Sequence, residues 1–282
     1  AMPSSMRHLR RSQPRLLGLV AVLAALAAST AFVAPSAAGL AAQPLRARVR
    51  RAAEPTGPAS DSFTLRYFDG RGVAEVSRML FAVAGKDYED ARYPISFGTP
   101  GDFSTVKREE FDADKAAGKL DVAMGKVPVL EAGELRLPQS KAIERYLAKK
   151  LGLMGATLEE EAWVDAVAEH IRDINDAYNR KGLFFMKDQE KKAELMKAWF
   201  EEELPPFLEK LDASLPGTAG VAVGDKPSLA DVVIFKLLKD TYSDRDISEI
   251  YAGCEKLKAI VATMEKNEGL QKWIAQRPQT MF

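Results

Sequence analysis

The sequence predicts an α/β N-terminal domain followed by an all-α helical C-terminal domain. Between residues 61 and 150 the apolar residues alternate between strand and helix spacing, in the order β-α-β-α-β-β-α. From residue 151 to 282 the spacing is helical throughout. Residues 1–60 fit neither pattern, because they hold eight arginines, a single acidic residue and a long apolar run. We therefore divide the chain into 1–60, 61–150 and 151–282.

The first predicted unit is β-α-β. Residues 63–67 alternate in polarity, with Phe63, Leu65 and Tyr67 on one face. An Asp-Gly pair at 69–70 is typical of a turn. Helical spacing over residues 73–84 predicts the first helix, and residues 88–93 predict the second strand.

Residues 125–147 predict a β-hairpin followed by a helix. The first hairpin strand is headed by Pro128, which has no N–H to donate to a ladder. Ala132-Gly133 marks the reversal, and Leu135 and Leu137 alternate in a second strand. The helix begins near Gln139-Ser140, where unpaired backbone N–H groups suit a carboxylate.

The C-terminal half predicts helices packed through aromatic and aliphatic stripes. Ser228 and Asp231 form an S-x-x-D capping pattern before an apolar helix. The stripes, which we expect in the core, are Trp163, Val167 and Ile171; Leu195, Trp199 and Phe200; and Val232, Phe235 and Leu238. Cys254 is expected to be a small buried residue rather than a nucleophile.

Composition excludes several classes of function. Residues 61–282 carry 32 basic and 39 acidic side chains, a formal charge of about −7, which argues against a nucleic-acid partner. The single cysteine excludes an internal disulfide and a CxxC redox pair. With two histidines in the chain, we expect no metal site.

Residues 1–60 predict a targeting leader. Four arginines precede thirteen apolar residues at 16–28, too short for a confident membrane span, and small residues follow at 29–31. Residues 32–53 lack acids and end in a basic cluster, as in a transit peptide. This arrangement resembles the two-part leaders of algae with complex plastids. We expect a plastid protein with no membrane segment in its mature form, which begins near residues 52–62; a secretory signal with a disordered basic tail is the alternative.

Several motifs resemble the sigma class of glutathione transferases. A Val-Pro pair at 127–128 precedes a Gln-Ser pair at 139–140 and an amphipathic helix. The resemblance extends from YFDGRGVAE at 67–75 through GDKPSLAD at 224–231 to RPQT at 277–280, so it covers nearly all of residues 61–282. It implies a thioredoxin-like N-terminal domain and a homodimer. It also implies glutathione as co-substrate, no further cofactor, and a small hydrophobic electrophile or a lipid hydroperoxide as second substrate.

The resemblance also implies which residues form the glutathione-binding site. Tyr67 matches the catalytic tyrosine. The main chain of Val127, before a cis bond to Pro128, would pair with the cysteinyl unit. Gln139 and Ser140 would hold the γ-glutamyl carboxylate.

The resemblance also implies contacts to the glycyl end of glutathione and one contact from the second subunit. Lys126 and Lys115 would face the glycyl end of glutathione, together with Phe111. A second pair, Phe103 and Lys107, has the same spacing. We prefer Phe111 and Lys115, because less must then be inserted before Lys126. Asp173 would reach the γ-glutamyl amine bound to the neighbouring subunit.

The expected chemistry is stabilisation of a thiolate. A free thiol titrates near pH ~8.5, so lowering its pKa by ~2 units requires about 2.7 kcal/mol. A neutral tyrosine hydroxyl can supply much of this, because hydrogen bonds to an ionised acceptor are strong. A cysteine-type thioltransferase is disfavoured, since the first strand offers Tyr67 and no cysteine.

Two positions depart from the family pattern. Many sigma members have an arginine where this chain has Val73, and Arg71 is the cation that could compensate. The metal-dependent prostaglandin isomerases of the class have an aspartate cluster where this chain has Glu169, Arg172 and Asp173. We therefore expect no such metal dependence. The alternative to an enzyme is a non-catalytic binding or structural protein on the same scaffold.

Overall fold

The N-terminal domain contains a four-stranded mixed sheet with helices on both faces. The computed structural model describes residues 62–99, 103–218, 220–242 and 244–280, so the predicted leader lies outside the described residues. The strands of the main sheet are β1 (Phe63–Phe68), β2 (Glu89–Tyr93), β5 (Val129–Ala132) and β6 (Leu135–Pro138). Its helices are α1 (Glu75–Val83), α2 (Glu109–Ala116) and α3 (Ser140–Lys150).

The strand order of the main sheet is β2-β1-β5-β6. β1 is parallel to β2 and antiparallel to β5, which forms an antiparallel hairpin with β6. This order confirms the predicted thioredoxin-like topology. Arg66 is paired with Val129, and Val129 with Pro138. Continued by one residue, this register brings Tyr67, Pro128 and Gln139 side by side.

Alternation along the strands divides the core of this domain in two. Phe63, Leu65 and Leu130 are buried in the large core that also contains α1, α3 and the C-terminal helices. On the other face, Val129 and Tyr93 pack with Phe111 of α2 in a smaller cluster. Tyr67 is partly buried against the large core, so it faces the helical domain.

The segment between Tyr93 and Phe111 is more ordered than its composition indicates. The sequence indicates a Gly- and Pro-rich surface loop between Tyr93 and Phe111, but two short strands form a separate antiparallel pair there: β3 (Ser96–Phe97) and β4 (Val106–Lys107). A two-residue strand has too few side chains for alternation to reveal it. Val106 and Lys107 are exposed, as a surface segment requires.

The rest of the described chain is helical, as predicted. Its helices are α4 (Leu158–Asn179), α5 (Gln189–Ala198), α6 (Leu204–Ser214), α7 (Leu229–Lys236), α8 (Glu255–Met264) and α9 (Glu268–Gln276). Two π-helical turns follow α5 and α7, at Trp199–Glu203 and Leu237–Thr241. No helix in the described ranges is both long and apolar enough to cross a bilayer. The boundary at residue 150 stays a prediction.

α7 is the central helix of the second domain. All residues from Leu229 to Phe235 are buried. The predicted capping box is present: the Asp231 carboxylate accepts hydrogen bonds from the Ser228 N–H and hydroxyl, each at 2.8 Å. The core assignment of Trp163 is wrong, because its side chain is 43% exposed on α4. Cys254 is buried, as expected.

Candidate active site

Tyr67 lies near the end of β1, beneath the turn at residues 70–73. Its hydroxyl oxygen accepts a hydrogen bond from the Val73 N–H, with an N···O distance of 3.5 Å. Gly72 contacts the ring so closely that a Cβ atom there would lie 2.5 Å from the hydroxyl. Burial raises the pKa of Tyr67, against the opposing effects of the Val73 N–H and the Arg78 charge. The hydroxyl is therefore protonated at neutral pH and can donate a hydrogen bond.

Arg78 holds the turn above Tyr67 and was missed by the sequence analysis. Its side chain is completely buried. One guanidinium nitrogen donates to the carbonyl oxygens of Gly70, at 2.6 Å, and Arg71, at 3.3 Å. The Arg78 Cζ atom lies 5.9 Å from the centroid of the Tyr67 ring, within the range of a cation–π contact. Arg78 is the cation whose charge acts on Tyr67.

A buried ionic network links this turn to the C-terminal helices. Arg78 pairs with Glu75 at 3.4 Å and with Asp90 at 3.2 Å. Glu75 also accepts hydrogen bonds from the Trp273 indole, at 2.9 Å, and from Arg277, at 2.7 Å. The RPQT segment therefore has a structural role, because its arginine bridges α1 to the helical domain.

The structure gives different roles to Val73, which stands where many sigma-class members have an arginine, and to Arg71, the cation that could compensate. The Val73 side chain is 53% exposed, so only its main chain serves Tyr67. Arg71 forms an ion pair with Asp240 at 3.1 Å, and Arg277 pairs with the same carboxylate at 2.5 Å. Arg71 therefore borders the site as one half of an ion pair.

The hairpin and α3 present main-chain groups beside Tyr67. The Val127–Pro128 peptide bond is cis. Among the described residues, the Val127 N–H and C=O have no hydrogen-bond partner, and its side chain is half-buried. These two groups are available to an extended peptide ligand.

Gln139 has a strained backbone at the start of α3. Its φ is +74° and its ψ is 113°, and such a conformation costs about 1–3 kcal/mol in a residue other than glycine. No side chain within the described ranges caps the helix, so the first-turn N–H groups at Ser140 remain available to an anion.

Two of the predicted lysines lie together. A Cβ atom on Gly125 would lie 2.8 Å from Lys115 Cε, so the Lys115 side chain crosses the main chain just before Lys126. Both lysines are exposed. They form a basic edge next to Val127.

Phe111 has a packing role. Its side chain is 4% exposed, and its ring centroid lies 4.8 Å from that of Phe68 and 5.7 Å from that of Tyr93. A ring with so little free surface is a poor ligand contact, which argues against the preferred assignment of Phe111. Nothing is described for the alternative Phe103 side chain, whereas Lys107 is exposed.

In the part of the chain that the structure describes, no hydrogen bond or ion pair joins Asp173 of α4 to Tyr67. The Asp173 side chain is exposed on α4. Its neighbour Glu169 pairs with Arg145 and with Arg172, the latter at 2.5 Å. Within the described residues, no group of three or more His, Cys, Asp or Glu side chains could hold a metal ion.

A cavity of about 820 Å³ adjoins the turn at Gly72, and sequence reasoning could not locate it. One wall is apolar and aromatic: Tyr178, Leu183, Phe184, Phe185 and Met196. Phe184 and Phe185 are 53% and 68% exposed. The polar side includes Arg71, Lys192, Lys236, Asp240 and Thr241. Its size suits a small organic ligand.

Comparisons with known proteins identify the family of the chain. Residues 63–149 match the profile "Glutathione S-transferase, N-terminal domain", and residues 175–277 match "Glutathione S-transferase, C-terminal domain". Glutathione S-transferase 3 of Caenorhabditis elegans is 30% identical over 225 residues, covering 78% of this chain and 99% of that protein. S-crystallin SL11 of Nototodarus sloanii is 31% identical over 224 residues, with shares of 78% and 99%.

A solved structure, a Nu-class GST from Haemonchus contortus, is 32% identical with a TM-score of 0.64, covering 78% of this chain and 99% of that one. The thioredoxin-like sheet and the all-helical second domain correspond to the two domains that the matched profiles describe. The chain belongs to the glutathione S-transferase family.

Proposed function

We propose that this chain is a sigma-like glutathione transferase in which the Tyr67 hydroxyl stabilises the glutathione thiolate. The observation that carries the proposal is the Tyr67 hydroxyl, which burial keeps protonated and which lies beside the turn at Gly72. The strand register puts it in line with the main-chain groups expected to bind glutathione.

Each part of glutathione then has a matching group. The Val127 N–H and C=O pair with the cysteinyl unit, and the N-terminus of α3 at Gln139 and Ser140 holds the γ-glutamyl carboxylate. Lys115 and Lys126 face the glycyl carboxylate.

The reaction needs only groups that the chain and its substrates supply. The thiol proton passes to water while Tyr67 donates a hydrogen bond to sulfur. The sulfur electron pair forms a bond to the electrophilic carbon, and the leaving group departs with its bonding pair. With a hydroperoxide, two glutathione molecules yield an alcohol, water and glutathione disulfide.

Turnover against a panel of aryl halides, enals and hydroperoxides tests this proposal, with retention on glutathione resin measured in parallel. Catalysed conjugation above the uncatalysed rate is expected. Retention on the resin without turnover would favour the alternative, a non-catalytic protein on this scaffold. The alternative is worth testing because an S-crystallin is among the relatives and Val73 replaces the family arginine.

We also propose a homodimer, in which Asp173 reaches the site of the partner subunit, and a plastid location directed by residues 1–60. The exposure of Asp173 on α4 is consistent with a contact to another subunit. Terminal sequencing of the native protein tests the leader, since recovery of a chain that still carries residues 16–28 would reject it.

A further inference from the structure

Lys236 lines the pocket beside Tyr67 and has no ion-pair partner among the described residues. It ends α7 and is half-buried among the pocket-lining residues. Its Nζ atom makes one hydrogen bond within the described residues, to the Thr241 hydroxyl at a long 3.4 Å. No described Asp or Glu oxygen lies within 4.0 Å of this ammonium group, whereas many other described lysines and arginines have such a partner.

The carboxylates near Lys236 already form ion pairs with other cations. Asp240 pairs with Arg71 and Arg277, and Glu75 pairs with Arg78 and Arg277. Burial lowers the pKa of the Lys236 ammonium, and the positive charge of Arg71 lowers it further, whereas Asp240 and Glu75 act in the opposite direction.

On α3, Glu144 is buried and pairs with Lys141 at 3.0 Å. Lys141 adds another positive charge that acts on Lys236. An ammonium group taken out of water without an ion-pair partner costs stability. Its position in a cavity suggests that a ligand supplies the missing anion.

The wall of the pocket indicates what else this ligand contains. Phe184 and Phe185 are exposed aromatic side chains, and Met196 adds a flexible apolar surface. Lys192 contributes a further cation to the lining. A ligand that satisfies both parts has an apolar body and one anionic group.

We propose that Lys236 binds a carboxylate of the second substrate, so that the transferase prefers apolar electrophiles that carry a carboxylate. This inference rests on the proposed function and adds the substrate class. With an aryl chloride, the thiolate forms the C–S bond, chloride leaves with the C–Cl bonding pair, and the carboxylate stays unchanged on Lys236.

The test compares 4-chloro-3-nitrobenzoate with its methyl ester at saturating glutathione. The measured quantity is the ratio of kcat/KM for the acid to kcat/KM for the ester. A charge-assisted hydrogen bond predicts that Lys236→Met lowers this ratio roughly ten- to a hundredfold. Lys236→Arg, which keeps the charge, should retain most of the wild-type ratio.

Lys239→Met is the matched control, because Lys239 lies in the next helical turn but pairs with Glu265 at 3.2 Å outside the pocket. It should keep the wild-type ratio. An unchanged ratio in Lys236→Met, or an equal fall in Lys239→Met, would overturn the proposal. A higher KM for glutathione with both substrates would do so too, because the bound anion would then be glutathione itself.

Thermal unfolding gives a second readout. Since Lys236→Met removes an unpaired ammonium, its Tm should equal or exceed that of the wild type. A clearly lower Tm, or a failure to fold, would mean that the charge is compensated inside the protein and would overturn the inference. If the wild type turns over neither the acid nor the ester, the proposed function itself fails. If it turns over the ester alone, only the carboxylate preference fails.

Discussion

The charge on Arg78 should set part of the reactivity of glutathione, and Asp90→Asn tests this by removing one of the negative charges paired with Arg78. Arg78 lies between Glu75, which is completely buried, and Asp90, whose side chain is 19% exposed. Asparagine keeps the shape of Asp90 but removes the negative charge that offsets Arg78. The thiolate of bound glutathione should then be more stable, and the thiol pKa should fall.

The size of the effect follows from the distances. Arg78 Nε lies 3.2 Å from Asp90, and Arg78 Cζ lies 5.9 Å from the Tyr67 ring centroid. For a separation of roughly 10 Å between the Asp90 charge and a sulfur atom on the Tyr67 hydroxyl, the energy is about 0.4–1.7 kcal/mol at effective dielectric constants of about 80 to 20. The thiol pKa should fall by about 0.3–1.2 units.

Ultraviolet absorbance of bound thiolate, followed against pH at saturating glutathione, measures this shift. Glu89→Gln is the control, because it removes the same charge from an exposed neighbour that bonds to Thr64 rather than to Arg78. Its thiol pKa should move much less.

Two results would refute the reasoning. An unchanged or raised thiol pKa in Asp90→Asn would mean that Arg78 has no electrostatic effect on the site. An equal fall in Glu89→Gln would mean that any lost carboxylate has the same effect.

Three further predictions concern the turn, the network and the dimer. Gly72→Ala should lower kcat more than it raises the KM for glutathione, because its Cβ would lie 2.5 Å from the Tyr67 hydroxyl. Gly85→Ala is the control, since Gly85 has a similar φ but open space around its Cβ position, and this variant should keep wild-type kinetics. Equal kinetics of the two variants would contradict the steric argument. Arg277→Met should cost about 1–3 kcal/mol in urea unfolding, because two buried carboxylates each lose one of their partners, and an unchanged free energy of unfolding would contradict a structural role. Asp173→Ala should weaken glutathione binding, since a charge-assisted contact is worth ~1.5–3 kcal/mol. When Tyr67→Phe and Asp173→Ala subunits are mixed, activity at limiting glutathione should recover toward about a quarter of wild type. No recovery, or a monomer by light scattering, would reject the shared site.

Local patterns in the sequence were enough to predict the architecture. Alternation at Phe63, Leu65 and Tyr67 identified β1, and helical spacing identified the second domain. The S-x-x-D pattern at Ser228 gave a capping box because all of its groups lie within four residues. Such features depend on neighbours along the chain, which a single sequence shows.

The missed features depend on contacts between distant residues. Arg78 interacts with Asp90 on β2, and through Glu75 it is linked to Arg277, about 200 residues away. The one available sign was an arginine within the apolar pattern of the first helix. Helical spacing placed Trp163 in the core, although its side chain is 43% exposed beside the buried Val164. The spacing of an aromatic and a basic residue favoured Phe111, but spacing alone does not show that this side chain is buried.

The central claim is that Tyr67 lowers the pKa of bound glutathione, and titration of wild type and Tyr67→Phe tests it most directly. A free thiol titrates near pH ~8.5, and the wild-type complex should titrate about two units lower. Phenylalanine removes only the hydroxyl, so the variant should bind glutathione with similar affinity while its thiol pKa returns toward the free value and kcat falls. Identical titration curves for the two proteins would contradict the account.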